Sequence, residues 1–140
     1  MKAYLSQSQT GDSSFKHFSN IASFSRGVLD SEAQEIVCDR FLSSFSYPDT
    51  EKLLEIIFKK MRTGCQLTII EPDFYLISKH LFKDDVHIDI INGIVFKDNV
   101  IKCMLTMDKI ESMINPALDI IQKHFDEQSC FSIIKIRRSK

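Results

Sequence analysis

An α/β protein with a mostly parallel sheet, closed by a C-terminal antiparallel hairpin, is the fold class this sequence predicts, and three observations carry that reading. A strand-like run, Glu35-Ile36-Val37-Cys38, is followed by an amphipathic helix and then by a second strand-like run from Gln66 to Glu71. The helix has an entry signal, Tyr47-Pro48-Asp49-Thr50, with Asp49 or Thr50 at the cap and Glu51 near the positive end of the helix dipole. Two more strand-like runs, Leu118 to Phe125 and Phe131 to Ile136, end the chain, and Asp126-Glu127-Gln128-Ser129 between them reads as a hairpin turn. Strands alternating with helices favour a parallel sheet, and a hairpin adds antiparallel pairing at its end.

The elements follow in order. The first 30 residues are polar and Ser-rich, with Ala3 to Ser6 as a short strand and Phe15 to Ile21 as another short element. In the helix, Leu53, Leu54, Ile57 and Met61 share one face, while Lys52, Glu55, Lys59 and Lys60 face out. Arg62-Thr63-Gly64 is expected to end it, Gly64 being suited to a left-handed exit. Pro72 stops the next strand. Phe74 to Phe82 has helical spacing, and Asp84 to Asn99 reads as irregular. Thr106 caps a helix through about Ile114, with Met107, Ile110 and Ile114 inward, and Asn115-Pro116 terminates it. Neither an internal repeat nor a linker interrupts the chain, so residues 1–140 read as one domain.

Composition excludes several functions. The 140 residues carry 18 Lys+Arg against 19 Asp+Glu, a net charge of -1, so no sequence-wide attraction to nucleic acid or anionic membrane is expected. No apolar run reaches the roughly 18 residues of a membrane-spanning helix, and Met1 to Asp12 lacks a signal-peptide core. A cytoplasmic location is the expectation. The four cysteines, at 38, 65, 103 and 130, form no CxxC pair, so no metal site is expected and buried free thiols are. Nothing resembles a catalytic triad or a phosphate loop.

Candidate site residues come from strand ends, because ligands of open parallel sheets bind outside the carboxyl ends of the strands. Asp39 and Arg40 stand there as a polar pair, with a surface ion pair the equal alternative. Glu71 and Asp73 flank Pro72 on the same edge and read as substrate-side carboxylates, or equally as caps of the next helix.

The stretch Asp30 to Ile36, then Phe41-Leu42, Tyr47 to Met61, and Arg62-Thr63-Gly64-Cys65-Gln66-Leu67-Thr68-Ile69-Ile70-Glu71-Pro72-Asp73-Phe74 resembles the second half of a class I S-adenosylmethionine-dependent methyltransferase. In that family an acidic loop leads into the fourth strand, a helix with a Pro-Asp start follows, and a Gly-rich turn enters a fifth strand ending in Pro-Asp. Asp89 to Phe96, Lys102 and Leu105-Thr106 are similar to an insert in small methyltransferases of surface-polysaccharide gene clusters, where a closing hairpin follows. The resemblance covers residues 30–137, leaving 1–29 divergent. It implies a shortened Rossmann-like methyltransferase sheet and methyl transfer from S-adenosylmethionine to a small molecule or sugar. It also implies a cofactor held around Ser6, Asp30 and Asp39, with Arg40, Glu71 and Asp73 on the substrate side.

Departures from the family pattern imply a degenerate cofactor loop. The glycine-rich loop after the first strand is replaced by Ala3-Tyr4-Leu5-Ser6-Gln7-Ser8-Gln9, with no glycine before Gly11. Asn20-Ile21-Ala22 stands where an acid would hold the ribose hydroxyls. Asp39-Arg40-Phe41-Leu42-Ser43-Ser44 replaces a Ser-His-x-Leu-Glu-His-like motif, losing both histidines and the glutamate. The short N-terminal part implies loss of a strand and a helix. The alternative function is a non-catalytic interaction subunit. A shortened sheet exposes an edge and a face that need covering, so a homo-oligomer or a protein partner is expected, with Phe15, Phe18 and Phe24 as covering residues. A ferredoxin-like sandwich is the other fold that the near-silent first 30 residues leave open.

Overall fold

In the computed structural model, which describes residues 1–8 and 12–140, a six-stranded sheet organises the chain. Its strands are β1 (Lys2–Leu5), β2 (Lys16–Phe18), β3 (Ala33–Asp39), β4 (Met61–Pro72), β5 (Asp119–Asp126) and β6 (Phe131–Arg137). The spatial order is β2-β1-β3-β4-β6-β5. The first four strands run parallel, and β6 is antiparallel to both β4 and β5. Five α-helices accompany them: α1 (Ile21–Gly27), α2 (Thr50–Lys60), α3 (Phe74–Phe82), α4 (Ile88–Val95) and α5 (Met107–Met113). The mostly parallel α/β sheet with a closing hairpin is therefore what the chain forms.

Alternation along the strands separates two faces. On one face Ala3, Leu5, Ile36, Cys38, Leu67, Ile69, Ile134 and Ile136 are all 0% exposed. They share an apolar cluster with Phe24 of α1, Leu53, Leu54 and Ile57 of α2, and Met107, Ile110 and Met113 of α5. The opposite face carries Tyr4, Val37, Thr68, Ile70, Ile133 and Lys135, all half-buried. None of its apolar members joins either apolar cluster of the described residues. A second, smaller cluster joins Leu76 and Ile77 of α3 to Ile91 and Val95 of α4 and to Cys130. His80 ties this lobe to the hairpin turn, with Nδ1 2.8 Å from Asp85 and Nε2 2.5 Å from Glu127. Those two carboxylates, Glu127 foremost, draw its pKa upward.

Three local expectations are corrected. The helix ends at Lys60, and Met61 turns directly into β4, so Arg62-Thr63-Gly64 lies inside the strand. The ladder slips there: Ala33 opposes Met61, yet Glu35 opposes Gln66. Gly64 absorbs the slip at φ 85°, where a Cβ would be strained. Residues 88–95, read as irregular, form α4, with the His87 ring accepting from the Asp89 N–H as its cap and Ile91 and Val95 inward. Phe18 and Phe24 do not wait for a partner. They are 4% and 0% exposed and pack edge to face, 5.5 Å apart, inside the chain's own core.

The end of β4 positions two of the helices that follow it, α3 and α5. Asp73 Oδ1 accepts from the N–H groups of Tyr75 and Leu76, capping α3, and Oδ2 accepts from Met107 N–H at the start of α5. Thr106 caps α5 through the Lys109 N–H. Replacing Asp73 by Ala orphans three donors at a fully buried site. The expected loss is about 2–4 kcal/mol, measured as a lower urea midpoint with an unchanged slope.

Candidate functional site

The carboxyl ends of β1, β3 and β4 lie side by side, and their registers decide which side chains meet. β1 ends at Leu5, and Ser6 follows it, 1% exposed. The Ser6 hydroxyl donates to the Ser8 carbonyl, and its Oγ lies 3.1 Å from His17 Nε2 on β2. That ring nitrogen is also 3.1 Å from the Ser6 carbonyl. β3 ends at Asp39, whose carboxylate accepts from the Tyr4 hydroxyl at 2.8 Å and from Arg40 Nε at 3.3 Å. Burial, then the Asp39 hydrogen bond, pushes the Tyr4 phenol up to about 12. Arg40 turns the chain out of the sheet at φ 51°, with its N–H donating to the Ile70 carbonyl, and its guanidinium reaches Ser8 Oγ at 3.4 Å. Ser6, Asp39 and Arg40 are thus brought to one edge, joined through Tyr4, Ser8 and His17.

Glu71 lies beneath this edge, 0% exposed. Its Oε1 accepts from the Leu42 N–H at 2.9 Å and the Ser43 N–H at 3.3 Å, and its Oε2 accepts from the Ser43 hydroxyl. Burial pushes its pKa up to about 8, against the opposing pull of those donors. Burial, and then the same carboxylate, hold the Cys38 thiol well above its ordinary range. Glu71 thus pins the loop after β3, and Asp73 pins two helices.

Asp30 is not part of this edge. It precedes β3 and pairs at 2.9 Å with Lys60, which ends α2, so both stand at the amino end of the parallel strands. Asn20 is spent as the cap of α1, its side chain accepting from the Ser23 N–H. Gln9 and Gly11 lie outside the described residues.

A cleft of about 490 Å³ opens at the carboxyl edge, lined by Gln7, Ser8, Ser44, Asn99, Val100 and Lys102. Its far wall is anchored to the loop after β3, because the Lys102 and Cys103 N–H groups both donate to the Ser43 carbonyl. Lys102 is the residue that sequence reasoning passed over as a site candidate. Its only signal was its place after the α4 segment. A second cavity on the same edge, about 380 Å³, is lined by Asp73, Tyr75, Thr106, Met107, Asp108 and Phe125. The Tyr75 and Phe125 rings, with centroids 6.5 Å apart, both line it. A third cavity, about 680 Å³, lies at the opposite end of the strands, between α2, the end of α5 and the C-terminal tail. It holds none of the candidate residues, and ligand binding in open parallel sheets favours the carboxyl edge over it. Among the described residues no group of three or more His, Cys, Asp or Glu could hold a metal ion, and no helix is long and apolar enough to cross a membrane.

Solved structures of similar fold include S-adenosylmethionine-dependent methyltransferases. An S-adenosylmethionine-dependent methyltransferase from Archaeoglobus fulgidus superposes with a TM-score of 0.56 at 10% identity, covering 91% of this chain and 69% of that one. OxaC, in complex with sinefungin and meleagrin, gives a TM-score of 0.53 at 11% identity over 87% of this chain and 29% of its own. An S-adenosylmethionine-dependent methyltransferase from Thermotoga maritima, described as a possible histamine N-methyltransferase, gives 0.50 at 14% identity over 79% of this chain and 58% of its own. The chain thus spans under a third of OxaC and under two thirds of the Thermotoga enzyme. No family model and no curated protein sequence matches it. The fold is class I methyltransferase-like.

The raised pKa of Glu71 has a definite sign. Its ordinary value is 4.5 and its folded value about 8, so between them the native state holds a proton that the unfolded state has released. Its contribution is present in full at low pH and is lost as pH rises through about 8. Wild-type stability is expected to fall from pH 5 to pH 8.5. Glu71→Gln flattens that fall and is relatively most stabilising at pH 8.5. Urea unfolding across the range measures both, and parallel curves for the two proteins would refute the assignment.

Proposed function

We propose that the chain is a methyltransferase that takes a methyl group from S-adenosylmethionine and acts on a small molecule or sugar. The observation that supports this most is the polar cleft at the carboxyl edge of a methyltransferase-like sheet. Its volume of about 490 Å³ falls in the range of about 300–1,000 Å³ typical of small-molecule pockets. Lys102 in the lining and Arg40 beside Ser8 supply cationic groups for the cofactor's carboxylate, and Asp39 supplies an anionic one for its ammonium. The residues fit the amino-acid end of the cofactor. They do not fit its ribose end, because Asn20 offers no carboxylate and its side chain is already engaged. When bound, the cofactor supplies an activated methyl group, so the protein's task is positioning. The cavity that Tyr75 and Phe125 help to line suits the acceptor, since aromatic rings stack on sugars and flat rings.

A second reading rests on a specific observation. Ser6, Asp39 and Arg40 satisfy one another and their neighbours without any ligand, as they would in a subunit that keeps the fold and has given up the cofactor. Isothermal titration with S-adenosylmethionine and S-adenosylhomocysteine separates the two. Methyl transfer requires micromolar binding that weakens about tenfold or more in Lys102→Ala and Arg40→Ala. An absence of heat at millimolar ligand, in protein folded by circular dichroism, leaves the non-catalytic reading.

A further inference from the structure

The uncovered face of the sheet carries an ordered pattern of charge. Near the amino end of the parallel strands, the register places Lys2, Glu35, Gln66, Arg137 and Asp119 in one row across β1, β3, β4, β6 and β5. The signs read plus, minus, neutral, plus, minus. Lys2 and Glu35 already pair at 3.1 Å, and the Ser139 hydroxyl donates to Asp119. No ion pair joins Arg137 to any carboxylate among the described residues. The row above is Tyr4, Val37, Thr68, Lys135 and Gln122, and Ile70 and Ile133 continue the face toward the carboxyl edge.

We propose that this face pairs with the same face of a second copy, across a two-fold axis running along β4. The argument is self-complementarity. A two-fold operation along the strands reverses the row, so Lys2 meets the other copy's Asp119 and Glu35 meets the other copy's Arg137. The neutral residues Gln66, Thr68 and Ile70 fall on the axis and meet themselves. Every charge in the row opposes its opposite, as an isologous interface demands. An arbitrary partner gains nothing from this order. Sheets that pack face to face keep their strands within roughly 30° of one another, which leaves the outer positions within reach of long Lys, Arg and Glu side chains. Parallel sheets are almost always covered on both faces, and here only one face joins a core. Five strands of this length present a footprint of roughly 500 Å². That is small beside the roughly 800 Å² per partner of a standard interface, so the dimer forms in the micromolar range.

Charge reversal tests the pairing. Glu35→Arg opposes Arg to Arg137 of the second copy, and Arg137→Glu opposes Glu to Glu35, so each variant alone is monomeric. Mixed in equal amounts, the two restore both pairs and form a heterodimer. Multi-angle light scattering at about 10–200 µM, a range set by the expected affinity, reads the mass, and circular dichroism confirms the fold. A wild-type monomer at every concentration overturns the proposal. So does a dimer that survives both single reversals, or a mixture that stays monomeric. Should a reversed variant fail to fold, amine acetylation of the wild type decides. Lys2 and Lys135 are expected to react several-fold more slowly at dimer concentration, with Lys52 on α2 unchanged; equal rates overturn the proposal.

Discussion

At the end of β4 the backbone leaves the sheet carrying Glu71 and Asp73, two carboxyl groups with 0% exposure and no ion pair among the described residues. A buried carboxylate without donors costs more than a domain of this size can spare. The surroundings are therefore obliged to supply N–H and O–H groups, and the loops take the shapes that supply them. Asp73 recruits the starts of α3 and α5. Glu71 recruits the loop after β3 through Leu42 and Ser43. The Ser43 carbonyl in turn holds Lys102 and Cys103, which form the far wall of the cleft. The chain of dependence runs from two side chains on one strand to the walls of the candidate site.

The two faces of the sheet follow different rules. On β1, β3, β4 and β6 the covered face is apolar down to Glu71, and α1, α2 and α5 close over it. The other face alternates apolar residues with charge, as antiparallel sheets do when one side meets water. In β1, β3 and β4 this is unusual, since these strands are parallel. The connection from β1 to β2 contains no helix among the described residues, and Phe15 packs edge to face on Tyr4 instead, with centroids 6.0 Å apart.

Much of this was legible in the sequence where local signals were strong. The Asp73 cap and apolar spacing marked residues 74–82, and the helix formed with those bounds. Thr106 and Asn115-Pro116 bracketed α5 in the same way. The α2–β4 junction was misread because Gly64 is a turn signal, while the long-range pairing of Met61 with Ala33 overrides it. The α4 segment was missed because its cap is a histidine and half of its apolar residues face solvent, which hides the helical period. The strand-end reading named Asp39 and Arg40, and Ser6, which the family resemblance offered, lies at the same edge. Asp30 was misplaced because an acidic loop before a strand sits at its amino end, away from the ligand edge. The Asp73 cap of α3 was legible locally, but its bond to Met107 and the donors of Glu71 were not, because those partners lie about 30 residues away.

The position of Glu71 also explains a departure that looked like simple loss. The family resemblance implies a glutamate where this chain has Ser43, and Ser43 is a residue that Glu71 grips. Two carboxylates at 43 and 71 would stand in contact within the core, each raising the cost of ionising the other. No carboxylate at all would leave the Leu42 and Ser43 N–H groups without their acceptor at a buried turn. In this chain the one carboxyl group that satisfies the loop comes from β4, so the loop that borders the cleft is held although the residues the resemblance implies there have changed. Full burial raises the pKa of that group to about 8, and the edge above it keeps the half-buried Asp39 as its acid.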